Sequence, residues 1–290
     1  MNAFLTELGK NLAGRWAAAL AVPAAVFVAV TVVAVVLGPA HALDFALLRT
    51  RVTTVSTGPA LVWAAAGFLA ATTLAGLAVT ALGGVVTAAW GAPGTGPGRP
   101  FTALRRRRWR RAAAKADTAV EAVLADRENR RAKAEARRSV LRRDAISEIE
   151  PDAPTWAGDR LRAVAVRVRR GTGLDLTTTW PRLWLVLPDA VRTEVTTVQD
   201  RCASAARTPV WGLAYLAVGA YWWPALVPGL GLLLVSRRRI RRSVGVYADL
   251  VEAAVDLHGR DVADRLGFEL AGPLTPEVGE QVTEALRKRA

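Results

Sequence analysis

A 26-residue segment without a charged side chain, Val210–Val235, constrains this chain most, because five arginines follow it within positions 237–242. About 20 apolar residues suffice to cross the roughly 30 Å hydrocarbon core of a bilayer. The middle of the segment reads Tyr-Trp-Trp-Pro, and such aromatic residues are typical of membrane–water interfaces. The segment is therefore predicted to enter the membrane, either as one span or as a hairpin with Trp222, Trp223 and Pro224 at its tip.

Charged and apolar residues are segregated along the chain. It is 52% hydrophobic and 22% charged, yet residues 16–37 and 60–90 carry no charge, whereas residues 101–150 hold 15 Lys/Arg against 8 Asp/Glu. A single soluble core does not usually produce this pattern, which favours membrane helices joined to a soluble helical region. The one cysteine, Cys202, excludes an intramolecular disulfide.

The first apolar run, residues 16–37, is predicted to be a transmembrane helix that follows an amphipathic lead-in at residues 1–15. A Gly-Pro pair stops the run, and the Ala-His-Ala sequence at 40–42 has the small-x-small pattern of a signal-peptidase site. A secretory apolar region usually has only about 7–15 residues, so the longer run favours an uncleaved span.

The second apolar run, residues 60–90, completes the predicted transmembrane pair of residues 16–90, and residues 41–59 form a polar connection. Small residues recur at four-residue spacing on both runs, which predicts that the two helices face each other, because small side chains let membrane helices approach closely. In a chain this rich in Ala and Gly, the same spacing also arises by chance. The two strips are Ala17, Ala21, Ala25 and Ala29, and Thr72, Gly76, Thr80 and Gly84.

Residues 91–101, rich in Gly and Pro, are predicted to be a flexible linker, since they lack the Gly-Lys-Ser/Thr ending of a phosphate-binding loop. A cluster of arginines around one tryptophan follows. The positive-inside rule places this cluster in the cytoplasm, and with it the N-terminus, while residues 38–59 lie outside. The predicted lipid or partner contacts here are Arg105, Arg106, Arg107, Arg108, Trp109, Arg110 and Arg111.

Residues 102–208 are predicted to be a basic cytoplasmic helical region. Neither Pro nor Gly interrupts residues 102–150, which predicts one helix of up to ~70 Å. An apolar stripe on its first third fits either internal packing or a partner helix. Thr155 is predicted to cap a second helix that stops at Gly171. Anionic headgroups are the expected partners of the arginines, since each basic residue near an anionic surface contributes about 1 kcal/mol, and nucleic acid is the less favoured partner.

The most motif-like segment is residues 173–188, in which the motif residues are Gly173, Asp175, Trp180, Pro181 and Arg182. Asp175 is expected to cap a short helix on which Trp180 and Trp184 share one face, and Arg182 to pair with Asp175 or reach a headgroup phosphate. The segment resembles a G-(L/I)-D-x4-W-P-R-L-x4-P motif of uncharacterised bacterial integral membrane proteins, in which membrane helices follow the motif. The resemblance covers about residues 154–225 and implies no activity.

The segment 209–236 is predicted to be a membrane hairpin rather than a single span. A single crossing would put its flanking arginines outside the cell, against the positive-inside bias, and would bury the two tryptophans near the midplane. Residues 237–290 then form a cytoplasmic helical tail, in which Thr275 and Pro276 begin the last helix. The predicted lipid or partner contacts at its start are Arg237, Arg238 and Arg239.

The sequence points to no catalytic, cofactor-binding or metal-binding residues. The two histidines, His41 and His258, are predicted to lie on opposite sides of the membrane, so they cannot share a site. Asp256, His258 and Asp261 resemble a metal set only superficially, because no second histidine is near. The apolar runs lack the ionisable residues that transporters normally use.

The predicted fold is all-α and polytopic, with two transmembrane or hairpin helix pairs, long cytoplasmic helices, and both termini in the cytoplasm of a multi-pass cell-membrane protein. The favoured function is a non-enzymatic membrane scaffold or regulator whose basic helices contact anionic lipids and protein partners or a second copy of the chain. The alternatives are a small transporter or lipid-handling protein and, more weakly, a membrane enzyme that uses cytoplasmic carboxylates.

Overall fold

The computed structural model describes residues 21–55, 59–92, 94–268 and 272–287, which are helical apart from short connections and contain no strand. The prediction of an all-α protein is confirmed for this part of the chain. The predicted lead-in, residues 1–15, and the start of the first apolar run lie outside the described residues.

Ten helices run through the described residues. They are α1 (described over Ala21–Leu37), α2 (Phe45–Val55), α3 (Pro59–Gly91), α4 (Arg99–Ala125), α5 (Arg130–Asp144), α6 (Trp156–Thr172), α7 (Leu176–Val186), α8 (Asp189–Gly219), α9 (Leu226–Arg265) and α10 (Pro276–Leu286). The Cα positions divide into two compact units. The apolar unit contains the described residues up to Val86 together with Ser204–Arg238, and the basic unit contains Thr87–Ala203 and Arg239 onward.

Helix α3 is the one described helix that is long and apolar enough to cross a membrane. Its apolar stretch covers Leu61–Gly91, and only 17% of the most apolar part of that stretch is buried. A core helix of a soluble protein would be mostly buried instead. Helix α1 is also apolar, but its described part is shorter.

The interior of the apolar unit combines small and aromatic side chains. Ala24 and Val79 are buried beside Trp211. The ring of Phe27 lies 5.5 Å from that of Trp211 and 5.2 Å from that of Tyr215, the second contact being edge-to-face. These contacts join α1, α3 and α8, and such aromatic pairs add about 0.5–1.5 kcal/mol to the burial of area.

The chain reverses between α8 and α9. A 3₁₀ turn at Trp223–Ala225 connects them, and the two helices approach closely at glycines. A Cβ atom on Gly219 would lie 2.4 Å from a methyl of Leu226, and one on Gly212 would lie 2.9 Å from a methyl of Leu233. The helices therefore form a hairpin in which Trp222, Trp223 and Pro224 lie in the turn.

The small-residue strips are only partly at the interface. Thr72 and Gly76 on α3 are buried, but Gly84 is exposed, and so are Ala21 and Ala29 on α1. A four-residue step turns an α-helix by about 400°, so a strict four-residue strip drifts around the helix. The buried line of α1 instead consists of Ala24, Val28, Ala34 and Leu37.

The basic unit has its own core, formed where α6, α7, α9 and α10 meet. Leu174, Leu183 and Leu187 are almost fully buried there. The predicted apolar face of α6 is confirmed, because Leu161, Val164 and Val168 all belong to this core. The fully or largely buried valines that complete it are Val251, Val255, Val262 and Val282.

The prediction of one uninterrupted helix over residues 102–150 is wrong. Helix α4 ends at Ala125, and α5 begins after Asn129, whose side-chain oxygen accepts hydrogen bonds from the backbone N–H groups of Arg131 and Ala132, both at 3.1 Å. An asparagine N-cap can begin a new helix without Gly or Pro. The reversal packs α5 against α4, where Ala116 of the apolar stripe is buried and Val120 remains exposed.

Two connections and one helix end also differ from the predictions. The polar connection after α1 contains helix α2, whose first turn is capped by Asp44 through the Leu47 N–H at 3.0 Å. The linker 91–101 is packed rather than free, because a Cβ on Gly94 would lie 2.1 Å from the carbonyl oxygen of Asp152. Helix α6 passes Gly171 and is stopped by Gly173, which has a left-handed φ of 73°.

Candidate functional site

The most strongly charged part of the molecule is the pair of helices α4 and α5, residues 99–144, which we call the basic hairpin. It holds 16 Lys/Arg against 6 Asp/Glu, so it carries +10 of the chain's net charge of +14. Its helices pack side by side, and Ala116 of α4 and Ala136 of α5 are buried. The tight packing of small residues leaves the long basic side chains around the outside of the pair.

The side chains on one side of the basic hairpin form hydrogen bonds and ion pairs with other residues of the chain. The guanidinium of Arg105 donates to a carboxylate oxygen of Asp159 at 2.7 Å and to the carbonyl of Ile146 at 3.1 Å. The indole N–H of Trp109 donates to the Ser147 carbonyl at 2.8 Å. Arg106 pairs with Asp152, and Arg110 pairs with Glu150. Four of the seven residues predicted to contact lipid or a partner therefore already have partners in residues 146–159.

Asp159 is the centre of that attachment. Its side chain is 1% exposed, and one carboxylate oxygen accepts from the backbone N–H groups of Asp152 and Ala153, both at 2.9 Å. The other oxygen binds Arg105. Sequence reasoning missed this residue, although a carboxylate in the first turn after the Thr155 cap was a visible signal, since it favours a helix N-terminus. The Thr155 cap itself is confirmed, with the Gly158 N–H donating at 3.1 Å.

A second ion-pair network joins α6 to α9. Arg167 donates two hydrogen bonds to the two carboxylate oxygens of Glu252, both at 2.7 Å, and one to Glu148 at 2.6 Å. Arg160 bridges Glu148 and Asp249. The hydrogen bonds from Arg167 lower the pKa of Glu252 below its usual value. This bidentate geometry is the stronger form of the arginine–carboxylate pair.

The lowered pKa of Glu252 predicts a loss of stability in acid. A carboxylate with a depressed folded pKa stabilises the folded state above its ordinary pKa of 4.5, and that stability is lost as the pH falls through the lowered value. We expect Glu252→Gln to be less stable than the wild type at neutral pH and to lose less stability on acidification. The thermal unfolding of both proteins, measured from neutral to acidic pH, tests this difference in stability. Asp256→Asn, which removes an exposed carboxylate of the same helix that has no ion pair among the described residues, should leave the acid dependence unchanged.

The other side of the basic hairpin carries a groove between α4 and α5 with a volume of about 820 Å³. Four cations line this groove, Arg108, Arg111, Lys115 and Arg142, and one carboxylate, Glu135. Within the described part of the chain, none of these four cations forms an ion pair. Small side chains lie between them, namely Ala112, Ala114, Thr118, Ala119, Ala122 and Ser139.

The remaining predicted contact residues are separate from the groove. Arg107 is exposed on α4, and Arg237 and Arg238 are exposed in the apolar unit, just after the uncharged part of α9. Arg239 belongs to the basic unit and is also exposed. Arg241, which was not singled out, donates to the Ala145 carbonyl at 2.8 Å and lies 5.0 Å from the ring centre of Trp156.

Two motif residues, Gly173 and Asp175, connect α10 to the segment between α6 and α7. Gly173 has a left-handed φ, and the hydroxyl of Thr283 on α10 donates to its carbonyl at 3.3 Å. Asp175 occupies the N-cap position of α7, but the expected capping bond from its side chain to the backbone is not made. Its carboxylate instead accepts from the hydroxyl of Thr178 at 2.6 Å, which lowers its pKa. The expected pairing of Arg182 with Asp175 is wrong, because Arg182 donates to the Thr178 carbonyl and Arg287 approaches Asp175 at 3.7 Å.

Trp180 and Trp184 share a face of α7, as expected from their spacing, with ring centres 6.2 Å apart. Trp180 and Pro181 also line an apolar cavity of about 320 Å³ that reaches Tyr247 on α9. Its lining side chains include no carboxylate, histidine, lysine, arginine or cysteine. The cavity therefore does not offer a set of acid, base and nucleophile.

No group of three His, Cys, Asp or Glu side chains within the described ranges is arranged to hold a metal ion. His258 instead contacts Asp261, with 3.0 Å between Nδ1 and the carboxylate oxygen. Cys202 is buried, and this burial raises the pKa of its thiol to about 11. A buried thiol of this kind is a poor nucleophile.

The groove of the basic hairpin is thus a site at which four cations have no ion pair with the described residues. Comparison of the chain with protein-family models, with curated proteins and with solved structures found no match.

Proposed function

We propose that this protein is a non-enzymatic, multi-pass cell-membrane scaffold or regulator whose basic hairpin contacts anionic lipids and protein partners in the cytoplasm. One observation carries the proposal. The basic hairpin, with its excess of ten positive charges, begins at Arg99, only eight positions after the end of the apolar helix α3 at Gly91. Anionic lipid headgroups are therefore expected to be close to the basic hairpin.

The surface of the apolar unit supports the membrane location. Large apolar side chains point outward on several helices. Trp63 on α3 is 78% exposed, and Leu234 on α9 is 75% exposed. Val35 on α1 and Leu213 on α8 are also exposed. Burial of apolar area is worth roughly 25 cal/mol per Å², so such surfaces favour lipid over water. We infer that α1, α3 and the facing parts of α8 and α9 lie in the bilayer.

The proposed topology places both termini and the basic hairpin in the cytoplasm, with the turn between α8 and α9 directed toward the outer face. The positive-inside rule favours this orientation because arginines flank both apolar pairs. Each arm of the hairpin has about 11–14 uncharged residues, or roughly 16–21 Å, so the flanking helical turns or a thinner bilayer complete the depth.

Cysteine labelling in intact cells tests the topology. We expect Ala220→Cys, in the turn, to react with a membrane-impermeant maleimide from outside, and Ala285→Cys, on α10, to react only after lysis. Both positions are exposed. The buried Cys202 provides a slowly reacting background, because its raised pKa leaves little thiolate. Labelling of Ala285→Cys from outside intact cells would contradict the proposal.

The lipid contact predicts an effect of membrane charge on the basic hairpin. Each arginine near an anionic surface contributes about 1 kcal/mol. We expect amide hydrogen exchange in residues 99–144 of the full chain to be slower in nanodiscs that contain phosphatidylglycerol than in nanodiscs of phosphatidylcholine alone. The difference should shrink at roughly 1 M salt, where the Debye length is about 3 Å.

Two charge variants test whether the effect of phosphatidylglycerol on hydrogen exchange comes from the cations of the basic hairpin. Arg107→Gln/Arg137→Gln/Arg138→Gln removes three exposed cations from the basic hairpin and should reduce the effect of phosphatidylglycerol. Arg170→Gln/Arg201→Gln/Arg265→Gln removes the same charge from exposed positions on α6, α8 and α9 and should leave it nearly unchanged. Equal exchange in neutral and anionic nanodiscs would contradict lipid contact by the basic hairpin.

A further inference from the structure

We propose that the groove between α4 and α5 binds an acidic amphipathic helix of a partner protein. This inference rests on the proposed function and deepens it, because it assigns the protein-binding role to one surface of the basic hairpin. Arg108, Arg111, Lys115 and Arg142 provide the charge, and the alanines between them provide the floor.

The shape of the groove fits a helix. Its lining positions on α4 recur every three or four residues from Arg108 to Ala122, so the groove extends over about 21 Å of helix at 1.5 Å per residue. Glu135, Ser139 and Arg142 recur in the same way on α5. Two neighbouring helices with small residues along their seam accept the side-chain ridge of a third helix at an interaxial distance of about 8–10 Å.

The charge of the groove selects the chemistry of its occupant. Arg105, Arg106 and Arg110 on α4 all have carboxylate partners within the chain. The four cations of the groove have none among the residues that the structure describes, and they face only Glu135, which lies 3.5 Å from the Ser139 hydroxyl. An occupant that carries carboxylates would supply the missing partners.

A second copy of the basic hairpin does not fit this surface, because two hairpins of charge +10 repel each other. A single lipid phosphate would satisfy the cations at one end but would leave the seam of alanines uncovered. An acidic helix with an apolar stripe satisfies both parts, since its carboxylates reach the cations and its stripe covers Ala112, Ala119 and Ala122. This matching of the two features favours a protein helix.

A synthetic peptide tests the proposal without a known partner. The probe is a fluorescein-labelled helix of about 20 residues, built from Glu, Ala and Leu with the Glu residues flanking an Ala/Leu stripe. A peptide of the same composition with the stripe scrambled is the control. Fluorescence anisotropy measures binding to the full chain in phosphatidylcholine nanodiscs, which contain no anionic lipid. We expect saturable binding that is about tenfold or more tighter for the amphipathic peptide.

Variants of the protein locate the binding surface. Arg111→Gln/Lys115→Gln/Arg142→Gln removes three groove cations, and Ala122→Trp fills the groove at an exposed position without changing charge. Each should weaken binding at least about tenfold. Arg127→Gln/Arg130→Gln/Arg131→Gln removes the same charge from exposed positions outside the groove and should weaken binding less than about threefold. Circular dichroism and thermal unfolding check that each variant is folded.

Any of the following results of the peptide assay would overturn the inference: equal binding of the scrambled peptide, an equal loss in the two triple variants, or unchanged binding to folded Ala122→Trp. Loss of the phosphatidylglycerol effect in Ala122→Trp, with no peptide binding to the wild type, would identify the groove as a lipid site and would also overturn it. Because the peptide assay contains no anionic lipid and the exchange assay contains no peptide, this inference can fail while the proposed lipid contact holds, and the reverse.

Discussion

Replacing Asp159 with Ala is expected to destabilise the basic unit by about 3–5 kcal/mol, the usual cost of breaking a buried ion pair by removing one partner. The substitution leaves the partly buried Arg105 without its carboxylate and removes the acceptor of two backbone N–H groups. Since Asp159 is 1% exposed, water cannot easily replace it. Chemical denaturation of the full chain in mild detergent measures the change in the free energy of unfolding.

Asp152→Ala is the matched control for Asp159→Ala. Asp152 also pairs with an arginine of α4, at 2.9 Å, but its side chain is 57% exposed. Exposed pairs contribute about 0–1 kcal/mol, so we expect only a small effect. A double-mutant cycle with Arg105→Gln then separates the pair from the backbone contacts. If Asp159→Ala and Asp152→Ala cost the same, Asp159 is not the anchor of this segment.

Replacing Gly173 with Ala is expected to destabilise the protein by about 3 kcal/mol, from a strained backbone and from overpacking. The φ of Gly173 is 73°, in the left-handed region. A Cβ there would lie 1.9 Å from the carbonyl oxygen of Pro276 and 2.9 Å from the backbone nitrogen of Glu280. Helix α10 would have to move away, which would break the hydrogen bond from Thr283 to Gly173. Denaturation and hydrogen exchange in α10 both report this change.

Gly171→Ala is the control, two positions earlier and inside the last turn of α6. Gly171 is helical, and apart from the backbone of its own helix and its chain neighbours no atom lies within 4 Å of the place where its Cβ would be. Alanine in an exposed helix is favoured over glycine by roughly 0.5–1 kcal/mol, so this variant should be equally stable or slightly more stable. A comparable loss in both variants would contradict the role of Gly173 as the contact between α6 and α10.

The predicted site was only partly recoverable from the sequence. The sequence identified the arginines around Trp109 as a group. It did not show which of them pair with carboxylates inside the chain and which of them line the groove. Arg105 and Arg108 are three positions apart, yet one binds Asp159 and the other lines the groove. Helical spacing shows which positions share a face, but it does not show which face another segment covers.

The sequence by itself determined the helical class, the apolar runs, the cap at Thr155, the start of α10 at Pro276, and the core face of α6. These features depend on local periodicity and on residues whose preferences act within one helical turn. The tertiary structure alone decided the reversal at Asn129, the stop at Gly173, the burial of Asp159 and the groove beside Lys115. Each of these depends on contacts between residues far apart in the chain, whose free energy exceeds the small differences in local propensity that the sequence displays.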